Sequence, residues 1–440
     1  MISFYNKLLL AISRKGSLVL FLLITANVFS QENFSLHASL NNIPGLEISK
    51  MKTGDTFTEK YEVFISQPLD HADPDAGSFR QRFFVCHKNI EAPVVLVTEG
   101  YAADYAERPD YRSEAGFLLD ANEIVVEHRY FSKSRPDNPD WTYLTVANAA
   151  ADHHRIVKLM KTVYEGKWLS TGISKGGQTA MFHRTFYPDD VNATLAYVAP
   201  LNFSDEDLRV YEFLENVGDT ACRELLYDFQ KRVLENREES LEAFEELAKI
   251  KKLTYSVGLE EAFELMVLEY SFAFWQWGLT PCEADFIPGE GTNAEDWMDH
   301  IDRVAGIDWV SDQGIERVHP FFYQALTEIG MYGYDLEPFG ELIEALDDNT
   351  FAFTCPEGVD CTFNPETMRI VDHYVRHEAT NLMLVYGEWD AWSSTAVQWS
   401  GNPGVVKIVK PFGSHFTRIG NLPEGLKKRA IETLKIWMED

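Results

Sequence analysis

The segment Trp168-Leu-Ser-Thr-Gly172-Ile-Ser174-Lys-Gly176-Gly-Gln-Thr-Ala-Met-Phe182 carries a G-x-S-x-G pattern, with Gly172, Ser174 and Gly176 at its fixed positions. A serine thrust out on a tight strand-to-helix turn needs neighbours without side chains, because a Cβ there would strike the flanking strand or helix. The same turn aims the first N–H groups of the following helix at the serine, where they can hold a developing oxyanion at the positive end of the helix dipole. The surroundings fit. Trp168-Leu-Ser-Thr reads as a short buried strand, and the helical stretch after it stops at Pro188. Thr194-Leu-Ala-Tyr-Val-Ala-Pro200 then reads as the next strand. Strand, elbow, helix, strand is the context the motif requires.

Working outward, apolar runs alternate with helical ones from about residue 55 to 200. Tyr61-Glu-Val-Phe-Ile65, Phe83-Phe-Val85, Val94-Val-Leu-Val97 and Glu123-Ile-Val-Val126 precede a helix around Val146–Met160. That alternation predicts an α/β fold with a mostly parallel sheet flanked by helices. From 205 to 364 the period changes: Cys222, Leu225, Leu226, Phe229 and Val233 recur at helical spacing, as do Leu241, Phe244, Leu247 and Ala248. This portion reads as a helical cap insertion between a first core part (31–204) and a second (365–440). The second part resumes with strands Asn381–Tyr386 and Val405–Val409 and a last amphipathic helix from about Glu424 to Met438.

The second part is where a triad is expected to be completed. In an α/β-hydrolase the order is Ser, then Asp or Glu, then His, on loops following later strands. Gly387-Glu-Trp-Asp390-Ala-Trp392 follows one strand, and Lys410-Pro-Phe-Gly-Ser-His415 follows the next. His415 is the expected base for Ser174, and Asp390 its orienting acid, with Glu388 as a close competitor. The Lys175 N–H and one from Gly100 or Tyr101, in the loop after Val94–Val97, are the expected oxyanion donors. The Lys175 side chain itself reads as a surface charge at the mouth of the site. His373 and His377 stand at i, i+4 but lack the adjoining glutamate of a zinc hydrolase helix, so no metal or organic cofactor is expected.

Composition narrows the rest. The 440 residues, 45% hydrophobic, are ample for a large core, and a net charge of −30 argues against nucleic acid or anionic membrane partners. Lys7, Arg14 and Lys15 followed by the apolar run Leu18–Ala26 and Val28-Phe-Ser30 read as a signal peptide over residues 1–30. The expected mature protein is exported, to the periplasm or beyond, and free of the membrane. Export gives the five cysteines meaning: Cys355–Cys361 is the simplest pair, Cys222 and Cys282 could join two helices of the middle region and leave Cys86 as a buried thiol, and five cysteines allow other pairings as well.

Gln67-Pro-Leu-Asp-His71, Phe79-Arg-Gln-Arg-Phe83, Glu127-His-Arg-Tyr130, the elbow, Asp390-Ala-Trp392 and the Gly-Ser-His415 loop occur in one order. Together they resemble the secreted bacterial tripeptidyl aminopeptidases of the PS-10 serine peptidase family, and more distantly prolyl carboxypeptidase and lysosomal dipeptidyl peptidase. The resemblance implies an α/β-hydrolase with a helical cap, Ser174, Asp390 and His415 as triad, and release of short peptides, tripeptides foremost, from free N-termini. A cap closing one end of a cleft admits only a chain terminus, and a carboxylate there can pair with its ammonium. Glu99 and Glu269 are the candidates for that carboxylate. Trp275 and Trp277, in the aromatic segment of the cap, are candidate substrate contacts. The alternatives are a proline-specific dipeptidyl peptidase or carboxypeptidase, and a secreted esterase using the same triad.

Overall fold

A computed structural model describes residues 35–439. The predicted signal peptide lies outside the described residues. The chain divides into two units, Met1–Pro44 and Gly45–Asp440. In the first, Ser35 caps a short helix, α1 (Leu36–Asn41), by accepting the Ala38 N–H at 3.3 Å.

The second unit is built on one nine-stranded sheet in the order β1-β2-β3-β5-β4-β6-β7-β8-β9. Its strands are β1 (Leu46–Lys50), β2 (Glu59–Pro68), β3 (Ser78–His87), β4 (Val94–Thr98), β5 (Asn122–Val126), β6 (Trp168–Ile173), β7 (Ala193–Tyr197), β8 (Leu382–Gly387) and β9 (Val405–Lys410). From β5 across to β9 every pairing is parallel. β4, β5, β7 and β8 are buried along their whole length, which is why they read as unbroken apolar runs: parallel strands are covered on both faces. β1, β2 and β3 instead run antiparallel at one edge. The alternation in the sequence gave no sign of β1, a short strand of Leu-Glu-Ile-Ser-Lys that leaves most of its side chains in water.

The crossover helices are α2 (Glu114–Leu119), α3 (Val146–Met160) and α4 (Lys175–Phe186), with α11 (Glu366–His377) and α12 (Glu424–Met438) in the second core part. Between β7 and β8 lies a helical cap made of α5 (Arg209–Asn216), α6 (Thr220–Glu235), α7 (Arg237–Lys251), α8 (Leu259–Trp277), α9 (Ala294–Val304) and α10 (Asp312–Gln324). The fold is that of an α/β-hydrolase with a cap. α10 is kinked at Val318, whose φ of −121° is not helical, two residues before Pro320, which lacks the N–H a straight helix needs. A π-helical turn, Ala325–Ile329, follows. No helix among the described residues is long and apolar enough to cross a membrane.

Cys222–Cys282 and Cys355–Cys361 are both bridged, with Cα separations of 5.6 and 6.1 Å. Cys86 is buried, and burial pushes its thiol up to about 12, so it stays protonated and inert.

Candidate active site

The elbow is as tight as its glycines imply. Ser174 stands between β6 and α4 at φ 56°, ψ −124°, a region that costs a side-chain-bearing residue strain. Its N–H is donated to the Tyr197 carbonyl at 2.8 Å, fixing the turn against β7. A Cβ on Gly176 would come within 2.7 Å of the Thr98 carbonyl, and one on Gly172 would strike the Gly176 carbonyl. Thr98, which the sequence did not single out, ties β4 to the elbow: its hydroxyl bonds to the carbonyls of Thr171 (3.2 Å) and Gly176 (3.1 Å).

Asp390 and His415 meet on the loops that follow β8 and β9. The fully buried Asp390 carboxylate accepts from His415 Nδ1 at 2.9 and 3.0 Å. It also accepts the Ser393 hydroxyl at 2.7 Å and the Trp392 N–H at 3.2 Å. His415 is held from its own backbone, which donates to the Gln276 carbonyl of α8 at 2.8 Å, and its ring abuts Trp277 edge to face at 5.9 Å. Glu388, the competitor for the acid's place, is exposed and accepts the Phe412 N–H at 2.8 Å, closing the turn after β9.

Ser174, His415, Lys175 and Tyr101 line one cavity of about 460 Å³, whose remaining wall comes largely from the cap: Glu269, Gln276 and Trp277 of α8, and Val318 and Phe321 at the kink of α10. As N1 of α4, the Lys175 N–H has no intrahelical acceptor. The Tyr101 N–H makes no hydrogen bond among the described residues. Of the two expected second donors, Tyr101 lines the cavity and Gly100 does not.

Two expectations are corrected. The Lys175 side chain is not at the surface: it is 3% exposed, donates from Nζ to the Gly100 carbonyl at 2.7 Å and lies over the rings of Tyr101 and Phe131. Burial brings its ammonium down to about 7, against the pull of Glu99. Trp275 is not in this cavity. It packs edge to face on Trp389 at 5.4 Å and lines a separate cavity of about 270 Å³ with Leu268 and Phe272. The reason is helical phase: Glu269, Gln276 and Trp277 share one face of α8, while 268, 272 and 275 share another.

The two candidate carboxylates differ. Glu99 does not line the cavity, and its carboxylate accepts the Tyr105 hydroxyl. Glu269 does line it, buried, taking the hydroxyls of Tyr332 (2.8 Å) and Tyr334 (2.7 Å). Burial raises Glu269 to about 7, although both tyrosine bonds favour its ionised form. Arg418, three residues past His415 and also unremarked in the sequence, lines the same cavity and donates to the carbonyls of His415 and Thr417 at 3.0 and 2.7 Å.

The family model for PS-10 peptidase S37 matches residues 32–438. The chain belongs to that family. The peptidase is 34% identical over 403 residues to the prolyl tri/tetrapeptidyl aminopeptidase of Streptomyces mobaraensis, covering 90% of this chain and 83% of that one. It is 28% identical to the prolyl carboxy peptidase like protein 5 of Caenorhabditis elegans, over 35% of each chain. Among solved structures, the proline iminopeptidase of Mycobacterium smegmatis aligns with 89% of the peptidase and 99% of its own chain, at 12% identity and a TM-score of 0.38. The peptidase is therefore a serine peptidase by family.

Proposed function

We propose that this serine peptidase is an exported aminopeptidase that releases short peptides, foremost tripeptides, from free N-termini through Ser174, His415 and Asp390. The observation that carries the reading is the buried carboxylate of Glu269 in the wall of the cavity that Ser174 and His415 also line. A desolvated carboxylate is the group that selects a substrate ammonium, and a cap over the cleft gives a chain end preference over a chain middle. His415 takes the Ser174 proton as the hydroxyl attacks the scissile carbonyl. The N–H groups of Lys175 and Tyr101 hold the resulting oxyanion. His415 then returns the proton to the leaving amine, and water attacks the acyl-enzyme by the same route reversed. Asp390 keeps Nδ1 protonated and steadies the imidazolium. The S. mobaraensis relative's name supports the tripeptide step, and two disulfides support an oxidising destination.

A carboxypeptidase reading has one observation in its favour, the Arg418 guanidinium in the same cavity, which suits a terminal carboxylate. Mass spectrometry separates the two. With a free-amine decapeptide and its N-acetylated twin, we expect successive tripeptides from the free peptide alone. Loss of residues from the C-terminus of both peptides would assign the carboxypeptidase, and cleavage of a nitrophenyl ester with neither peptide touched would assign an esterase.

The amine anchor has its own pH signature. Glu269 must be ionised and the substrate amine protonated, so KM should be lowest between about 7, where Glu269 titrates, and about 8, where a peptide α-amine loses its proton. Below 7 the neutral Glu269 no longer pairs with the ammonium, and KM rises. Glu269→Gln should raise KM for free peptides by about 10- to 100-fold, as loss of a charge-assisted bond implies, and flatten the acid side of its pH profile. An unchanged KM in steady-state kinetics would remove Glu269 from the substrate site.

A further inference from the structure

The side chain of Lys175 is spent on something other than packing. It follows the nucleophile directly, is almost wholly buried, and sends Nζ to the Gly100 carbonyl at 2.7 Å. That carbonyl and the Tyr101 N–H belong to the same peptide group. A trans peptide is planar, so its C=O and N–H point in opposite directions. A donor fixed on the oxygen therefore fixes the direction of the N–H. The Tyr101 residue is anchored on its other side too, because its own carbonyl accepts the His128 N–H at 3.2 Å.

We propose that Lys175 is a positioning residue for the oxyanion hole: through the Gly100 carbonyl it aims the Tyr101 N–H at the reacting oxygen and strengthens it as a donor. This rests on the reading of Tyr101 as a hole donor given above. Drawing electron density toward the carbonyl oxygen makes the N–H of the same amide more acidic, the cooperative strengthening expected along a hydrogen-bonded chain in a low-dielectric site. The bond needs only an N–H on Nζ, which both the ammonium and the neutral amine possess. The close approach is built in. A Cβ on Gly100 would lie 2.6 Å from Lys175 Cβ and Cγ, so the loop seats against the lysine stem only with glycine there. Around the amine stand the Glu99 carboxylate, the rings of Tyr101 and Phe131, and the His128 imidazole, which is held neutral by its own burial and by the lysine's charge. One residue thus supplies two halves of the hole, its own N–H directly and that of Tyr101 at one remove.

The test uses Lys175→Met, which keeps the stem and loses the donor, and Tyr101→Pro, which removes the N–H outright. Three readouts are taken on the whole protein: kcat and KM for a tetrapeptide amide, binding of a tripeptide aldehyde that forms a tetrahedral adduct on Ser174, and binding of the product tripeptide. Loss of one hole donor costs about 100-fold or more in kcat. Lys175→Met should approach that loss with KM within about threefold. Aldehyde affinity should fall in parallel with kcat and tripeptide affinity should hold. In the Tyr101→Pro background, Lys175→Met should cost little more, since its target is gone. If Tyr101→Pro weakens the aldehyde and Lys175→Met does not, or if Lys175→Met weakens aldehyde and tripeptide equally, the proposal falls. If Tyr101→Pro itself leaves aldehyde binding intact, the hole reading beneath it falls instead. A melting curve for each variant separates misfolding from these outcomes. Lys175→Arg distinguishes further: a longer donor that cannot seat in the same space should fail to restore the rate.

Discussion

Ser174→Ala is expected to lower kcat for peptide cleavage by about a million-fold, the scale seen when a triad nucleophile is removed, while KM and folding are preserved. The two effects separate because the alanine still carries the Cβ that makes φ 56° costly, so the strain of the elbow is unchanged. Ser174→Gly should be equally dead and yet more stable, by about 1 kcal/mol, since relief of the positive φ exceeds glycine's extra chain entropy. Active-site titration with a phosphonate that labels serine, alongside chemical denaturation, checks both claims. If the alanine variant retains more than a thousandth of the activity, another nucleophile is at work. If the glycine variant is the less stable, the turn is not strained in the way its dihedrals imply.

Asp390→Asn is expected to cost about 10,000-fold in kcat, with little change in KM, because the amide presents an N–H where His415 needs an acceptor and so favours the wrong tautomer. Its other partners sit on different oxygens: the Trp392 N–H can keep the one that remains as the amide oxygen, and the Ser393 hydroxyl can turn to accept from the amide NH2, so the loop should stay folded. Glu388→Gln is the control. That side chain closes a turn by accepting the Phe412 N–H, a bond that the amide oxygen of glutamine can also take, and activity should remain within about threefold of the parent, as for a surface change. Kinetics for both variants on one substrate decide the matter: equal losses would mean that the acid role is shared, and a reversed order would reassign it.

The elbow, Asp390 and His415 were legible as a candidate set because each follows a parallel strand, those before Ser174 and Asp390 covered on both faces and the one before His415 at the sheet's edge. Such strands announce themselves as apolar runs, and the residue after the run is then placed by topology. Thr98 was missed because threonine at the end of an apolar strand is common, and nothing local tells that its hydroxyl reaches two carbonyls of the elbow. Lys175 was misread for a related reason. A lysine beside glycines ordinarily lies in water, and its burial follows only once the loop after β4 is seated on it. Trp275 and Trp277 were equivalent in sequence, since periodicity gives which residues share a face but not which face meets the site. Glu269 was one of 69 acidic residues, and its value came from two tyrosines more than sixty residues away.

The bridge between Cys222 and Cys282 spans 60 residues and joins the start of α6 to the chain just past the end of α8. Closing a loop of that length removes about 4 kcal/mol of disorder from the unfolded chain. It encloses the helix that carries Glu269, Gln276 and Trp277, whereas the elbow, Asp390 and His415 lie outside it on turns seated on the sheet. The cap wall of the cavity and the candidate triad thus rest on different supports, one a covalent hoop and the other a hydrogen-bonded floor, which meet where the His415 N–H bonds the Gln276 carbonyl. A displacement of the enclosed helix is therefore passed to the His415 loop through that bond and the Trp277 ring, and the covalent hoop guards against it.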